Sequence, residues 1–260
     1  MKLSAKAKKF FVMALCAALG AALAATGTWA YLSNRTEKPL TNTFIAMGGG
    51  KIIEDEDDFK VTEHRIDYEP DGTPVLDPDT ELTPDKDGNI SQTYKTEPGI
   101  DLPKDPFIRV NGKTETPARL YVEVVPSGFR WISGSQYRLL KAEDGGPEGV
   151  NNEMSFKMNS DWSLVDGVTG VNGGRVFQYT GAKSSPAGIL TLESSGEDND
   201  YYLLEGNRIT VENDVSGNGE DMIIPETTNI KFYAYLAQAN AGDDAAEAFS
   251  NCFINAKTPQ

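Results

Sequence analysis

One histidine, His64, is all the imidazole that the 260 residues offer, and this narrows the chemistry at once. A zinc hydrolase needs several neutral-nitrogen or carboxylate donors around an open position, usually starting from two histidines at helical spacing. The stretch "TEHRIDY" at 62–68 is not HExxH and has the composition of a strand. A serine or cysteine triad would need the same His64 as its base. No GxSxG elbow exists, and Ser133 and Ser135 in "SGFRWISGSQY" stand outside any such turn. Walker loops, GxGxxG fingerprints and CxxC pairs are also missing from the sequence. Glycosidase chemistry needs two chosen carboxylates, and 39 acidic residues give no basis for choosing them. The chain is not expected to be an enzyme, and no cofactor is expected beyond a candidate calcium ion.

Calcium takes hard oxygen donors. Glu54, Asp55, Asp57 and Asp58 cluster in "EDEDD", and Asp85 and Asp87 in "DKDGN" resemble the start of a calcium loop. The loop pattern is incomplete, because Tyr94 stands where a bidentate glutamate would close it. The structural alternative is a solvated acidic face and an Asp-Gly turn.

The elements that would position these residues begin with a leader. Lys2, Lys6, Lys8 and Lys9 precede an uncharged run from Phe10 to Ala25, the order of an export signal. That run falls short of the roughly 20 residues a membrane-spanning helix needs. Small residues at Thr28 and Ala30 place the expected cut between Ala30 and Tyr31. Residues 1–30 are therefore read as a signal peptide, and any membrane contact as passing through the uncleaved leader. Without the four leader lysines, 20 basic residues face 39 acidic ones, a formal −19. Such a surface lacks the basic footprint that nucleic acid requires. Cys16 leaves with the leader, so Cys252 stands alone and no internal disulfide forms. In "AFSNCFI" it reads as a small buried hydrophobe.

Residues 31–50 form an N-terminal segment ending in the hinge Gly48, Gly49 and Gly50. Residues 51–260 are read as a single β-sandwich domain. Within it, "FKVTEHRIDY" suggests a strand or two. The stretch 69–106 holds seven prolines among many Asp, Gly and Thr, so a loop-rich insertion with at most short edge strands is expected. Beyond Pro106 the hydrophobic period becomes two, in "PFIRVNG", "ARLYVEVV", "RVFQYTG", "GILTLE", "NRITVEN" and "NIKFYAYLAQA". In "RLYVEVV" one face holds Leu120, Val122 and Val124 and the other Tyr121, Glu123 and Val125, and one face is expected to pack inward. A short helix is expected in "GDDAAEAFSN", with Asp243 and Asp244 at its N-terminus.

Three patches carry a resemblance to a known family. "GTWAYLSN" followed by "NTFIAMG", then "PFIRVNGKTETPARLYVEVV" at 106–125, and "IKFYAYLAQANAGDDAAEAF" at 230–249 resemble the TasA/camelysin family of exported Gram-positive matrix proteins. The chain departs from the family at Met47, where a glycine is usual, and in its long acidic segment 51–105. The resemblance implies a jelly-roll-like sandwich and cleavage by a SipW-type signal peptidase. It also implies a location in the extracellular matrix or on the cell surface, and head-to-tail assembly in which one subunit's N-terminal segment completes the next subunit's sheet. Other matrix or cell-wall components are candidate partners.

The residues permit that assembly. Leu40, Phe44 and Ala46 alternate with Ile45 and Met47, as a donor strand requires, and the glycine hinge lets the segment swing outward. Burying Leu40, Phe44 and Ile45 would contribute roughly 1.5–3 kcal/mol each. Two other readings stand beside it: a monomeric adhesin or carbohydrate-binding sandwich with Trp131, Trp162, Tyr201 or Tyr202 as a platform, and a camelysin-type metallopeptidase, which the single histidine disfavours.

Overall fold

The computed structural model describes residues 33–38, 41–43, 59–83, 92, 94, 98–111, 116–190, 199–215, 224 and 228–255, with 33–38, 41–43 and 214–215 described as backbone. In chain order the strands are β1 (Ser33–Lys38), β2 (Thr41–Thr43), β3 (Phe59–Thr62), β4 (His64–Tyr68), β5 (Pro74–Glu81), β6 (Leu102–Pro103), β7 (Phe107–Val110) and β8 (Ala118–Ser127). They continue with β9 (Arg130–Ser133), β10 (Gln136–Leu139), β11 (Asn152–Lys157), β12 (Trp162–Thr169), β13 (Arg175–Tyr179), β14 (Asp200–Tyr202), β15 (Arg208–Val215) and β16 (Asn229–Gln238). One short helix, α1 (Ala245–Phe249), follows. The fold is all-β and sandwich-like, as expected.

Among the described residues the strands form four sheets. A six-stranded sheet runs β12-β13-β8-β16-β1-β2, and beside it lie a five-stranded sheet β6-β15-β11-β10-β9, a three-stranded sheet β14-β7-β3 and the β4–β5 hairpin. The centre of the large sheet is the β8–β16 pair, antiparallel over ten positions from Ser127↔Asn229 to Ala118↔Gln238. Val, Leu and Tyr at these positions suit a pleated, buried surface. Leu120, Val122, Val124, Phe232, Ala234 and Leu236 pack with Val61, Ile108, Met154, Phe156 and Tyr201 of the other sheets in one core.

The sequence expectation of one inward face on β8 is corrected by its opposite side. Tyr121 on that side is fully buried in a second core with Tyr233, Tyr235, Phe249 and Cys252, and Glu123 is at 0% exposure. The cause is α1, which lies over this side. Phe249 meets Tyr121 and Tyr235 edge-on at 5.3 and 5.1 Å. The helix forms as the sequence suggests. Asp244 accepts from the Glu247 amide at 2.8 Å, and the Glu247 side chain accepts from the Asp243 amide at 2.8 Å, a reciprocal cap.

The insertion is also more ordered than expected. β5 is eight residues long and pairs with β4 in a hairpin. Pro78 is accommodated because the ladder is interrupted there, the register shifting between Arg65↔Asp77 and His64↔Glu81. Of the expected "GILTLE" strand, Leu190 is buried and forms a bridge to Ala118, while 191–198 lie outside the described residues.

Candidate functional site

The assembly candidate lies at one edge of the six-stranded sheet. β1 pairs antiparallel with β16 through Ser33↔Ala237, Asn34↔Leu236 and Arg35↔Tyr235, and β2 folds back on β1 through Arg35↔Thr43 and Lys38↔Thr41. The N-terminal segment thus occupies the margin of its own chain's sheet. The receiving strand is fixed from its other side by ten positions of β8, against three for β1. A strand held by so few ladder pairs is the low-stability end of its sheet.

The residues singled out for the site in the sequence fall outside the described ones, apart from the aromatic platform. The cleavage pair Ala30 and Tyr31, the donor residues Leu40, Phe44, Ile45, Ala46 and Met47, and the hinge Gly48, Gly49 and Gly50 lie outside the described residues. So do the calcium candidates Glu54, Asp55, Asp57, Asp58, Asp85 and Asp87. Among the described residues no group of three His, Cys, Asp or Glu is arranged to hold a metal ion. Of the aromatic platform, Trp162 and Tyr201 belong to the core, at 3% and 2% exposure. Trp131 and Tyr202 are exposed, and the Arg175 guanidinium lies 3.6 Å over the Trp131 ring.

The side chains at the base of the β4–β5 hairpin form the densest polar cluster. His64 opens β4, and its Nδ1 lies 2.6 Å from Asp105 Oδ2, while its backbone amide donates to Asp105 Oδ1 at 3.1 Å. The ring packs 5.2 Å from that of Phe107. One carboxylate thereby holds both backbone and ring at the corner. A buried aspartate behind a histidine is also how general bases are oriented, but that chemistry needs a nucleophile at the other ring nitrogen. The hydrogen bonds among the described residues bring neither a hydroxyl nor a thiol to His64.

Across the outer face of β3, β7 and β14 runs a charged ladder. Arg109 grips Asp200 with two donors at 2.7 and 2.6 Å and also donates to Glu81, which accepts from Lys60 at 3.2 Å. The hydrogen bond to Asp200, against burial and with help from Glu81, raises the Arg109 guanidinium above its ordinary value. The bidentate pair fastens β14 to β7, and Glu81, accepting from Arg109 and Lys60, ties β5 to the same sheet.

The residue before His64 was not singled out by its sequence. Glu63 is 2% exposed, and its carboxylate meets Lys104 and Tyr94. Burial alone would lower the Lys104 ammonium, but the adjacent Glu63 carboxylate and Tyr94 outweigh it and raise the group above its ordinary value. A glutamate and a lysine in polar surroundings both read as solvent-facing, so periodicity carries no signal for this cluster. No family model matches the chain, and the curated proteins and solved structures likewise yield no match to it.

Proposed function

We propose that the chain is an exported, non-catalytic structural protein that builds extracellular fibres of a Gram-positive matrix by passing its N-terminal strand to the next copy. The observation that carries this reading is the position of β1, which pairs with β16 over three positions and is bordered on its other side by the three-residue edge strand β2. It begins at Ser33, just past the expected cut after Ala30.

Exchange of such a strand keeps every register pair and changes only the chain that supplies it. Donor and receiving surfaces are different, so the contact is heterologous and extends into a filament. Closed monomer and fibre then differ mainly in the entropy of closing the strand onto its own chain and in protein concentration. An attached leader would hold the start of β1 at the membrane and delay donation until cleavage.

The test compares the chain beginning at Tyr31 with one lacking 31–47, by electron microscopy and by gel filtration at rising concentration. The longer chain should give filaments and a concentration-dependent size, and the shorter one a folded monomer. Filaments formed equally well by the truncated chain would refute the proposal.

A further inference from the structure

Glu63 lies before the β4–β5 hairpin and Lys104 near the end of the inserted segment, and their side chains meet out of water. Lys104 Nζ lies 2.5 Å from Glu63 Oε2, with the two side chains 11% and 3% exposed. Tyr94, from within the insertion, touches both. Nζ donates to the Tyr94 hydroxyl at 2.7 Å, and that hydroxyl donates to Glu63 Oε1 at 2.8 Å. The Lys104 ammonium also lies 4.7 Å from the centroid of the Tyr94 ring. Both backbones are fixed: the Leu82 amide donates to the Glu63 carbonyl at 2.9 Å, and the Lys104 amide donates to the Asn207 carbonyl at 2.8 Å.

Three reacting or assisting groups are thus held against one another in a nearly dry site. Desolvation penalises a pair of opposite charges heavily, whereas an amide carries none. Holding amine and carboxyl in contact also removes the entropic cost of bringing them together. We infer that Glu63 and Lys104 condense to an intramolecular isopeptide bond, with Tyr94 as the donor to the developing oxyanion.

The step balances without any co-reactant. A proton crosses from Lys104 Nζ to Glu63 Oε2, leaving a neutral amine and a carboxylic acid. Both charges vanish together, so the attraction that favours the ammonium is lost with the carboxylate. The Nζ lone pair then attacks Glu63 Cδ and forms the C–N bond, while negative charge gathers on Oε1, to which the Tyr94 hydroxyl already donates. A second proton passes from Nζ to Oε2, the C–Oε2 bond breaks, and water leaves. Nζ ends with one hydrogen as a secondary amide. The product closes the segment 63–104 covalently in a body whose described cysteine, Cys252, is free.

Intact-mass spectrometry of the purified, denatured chain, referred to its own sequenced N-terminus, decides the matter. The wild type should be lighter than its sequence by one water, and its digest should contain a branched peptide joining Glu63 to Lys104. Lys104→Arg keeps a positive charge but removes the amine, and should restore the full mass. Tyr94→Phe should slow condensation, so that freshly purified protein contains both masses. A wild type at full mass, with linear peptides covering both residues, would overturn the inference. So would a Lys104→Arg chain that is still one water light. Condensation of Tyr94→Phe as fast as wild type would remove Tyr94 from the mechanism. The readout is a mass and is independent of whether fibres form.

Discussion

Asn34 of β1 is registered directly against Leu236 of β16, so a strand from near the start of the chain borders the last strand of the sandwich. β16 is held firmly on its other side. The hydroxyl of Tyr235 donates at 2.5 Å to Glu123 of β8, a carboxylate buried between the sheet and the loop at 170–174. The strand that receives β1 is therefore held by far more register pairs than β1 itself.

Glu123 accepts from the amides of Asn172 and Gly174 at 2.8 Å each and from the Asn172 side chain at 3.0 Å, besides Tyr235. Glu123→Ala would strand these donors and should destabilise the fold by about 3 kcal/mol. Urea unfolding should show a lower midpoint at unchanged slope. Gly170→Ala should also be costly, because its Cβ would lie 2.2 Å from Glu123 Cδ. A midpoint unmoved by Glu123→Ala would show that the carboxylate does not hold the loop.

Cys252 is 3% exposed, and burial pushes its thiol up to about 12. The nucleophilic thiolate is thus scarce at neutral pH. Labelling with a thiol reagent should be slow in the native protein and should speed up with urea in step with global unfolding. Fast native labelling would place Cys252 outside the core beneath α1.

Burial would raise the Glu81 carboxyl, but hydrogen bonds from Arg109 and Lys60 outweigh it and hold the group below its ordinary 4.5. A carboxyl lowered in the folded state contributes stability that is complete above its unfolded value and is lost as pH falls through the folded one. Stability should therefore decline on acidification below about 4.5. Arg109→Gln should lower stability at neutral pH and flatten that acid dependence, as read by thermal melts across pH. A variant with the wild-type pH profile would contradict the role of this ladder.

The alternation of Leu120, Val122 and Val124 made β8 legible, and Asp243 with Asp244 announced the helix. The buried far side of β8 was not legible. A glutamate at an alternating position looks solvated, and only the tertiary placement of α1 and the 170–174 loop reverses that reading. β9 and β12 also escaped. "RWIS" is exposed at every position, and Asp166 and Gly167 interrupt the pattern of "WSLVDGVT". Prolines 74 and 78 concealed β5, because propensity registers the missing amide donors but not the ladder interruption that tolerates them. The polar corner at Glu63, His64, Lys104 and Asp105 is made by contacts across 41 positions, beyond the reach of any local pattern.

Strand exchange is tested most directly by mixing two variants of the chain beginning at Tyr31, both carrying Cys252→Ala, one with Ser33→Cys and the other with Ala237→Cys. These positions face each other in the β1–β16 register, and facing strand positions can bring two cysteines within disulfide range. Exchange predicts that mixed assemblies, once oxidised, yield covalent dimers joining the two variants. If assemblies form but no such dimers appear, while the double variant crosslinks only within single chains, β1 stays in its own sheet and the fibre has another origin.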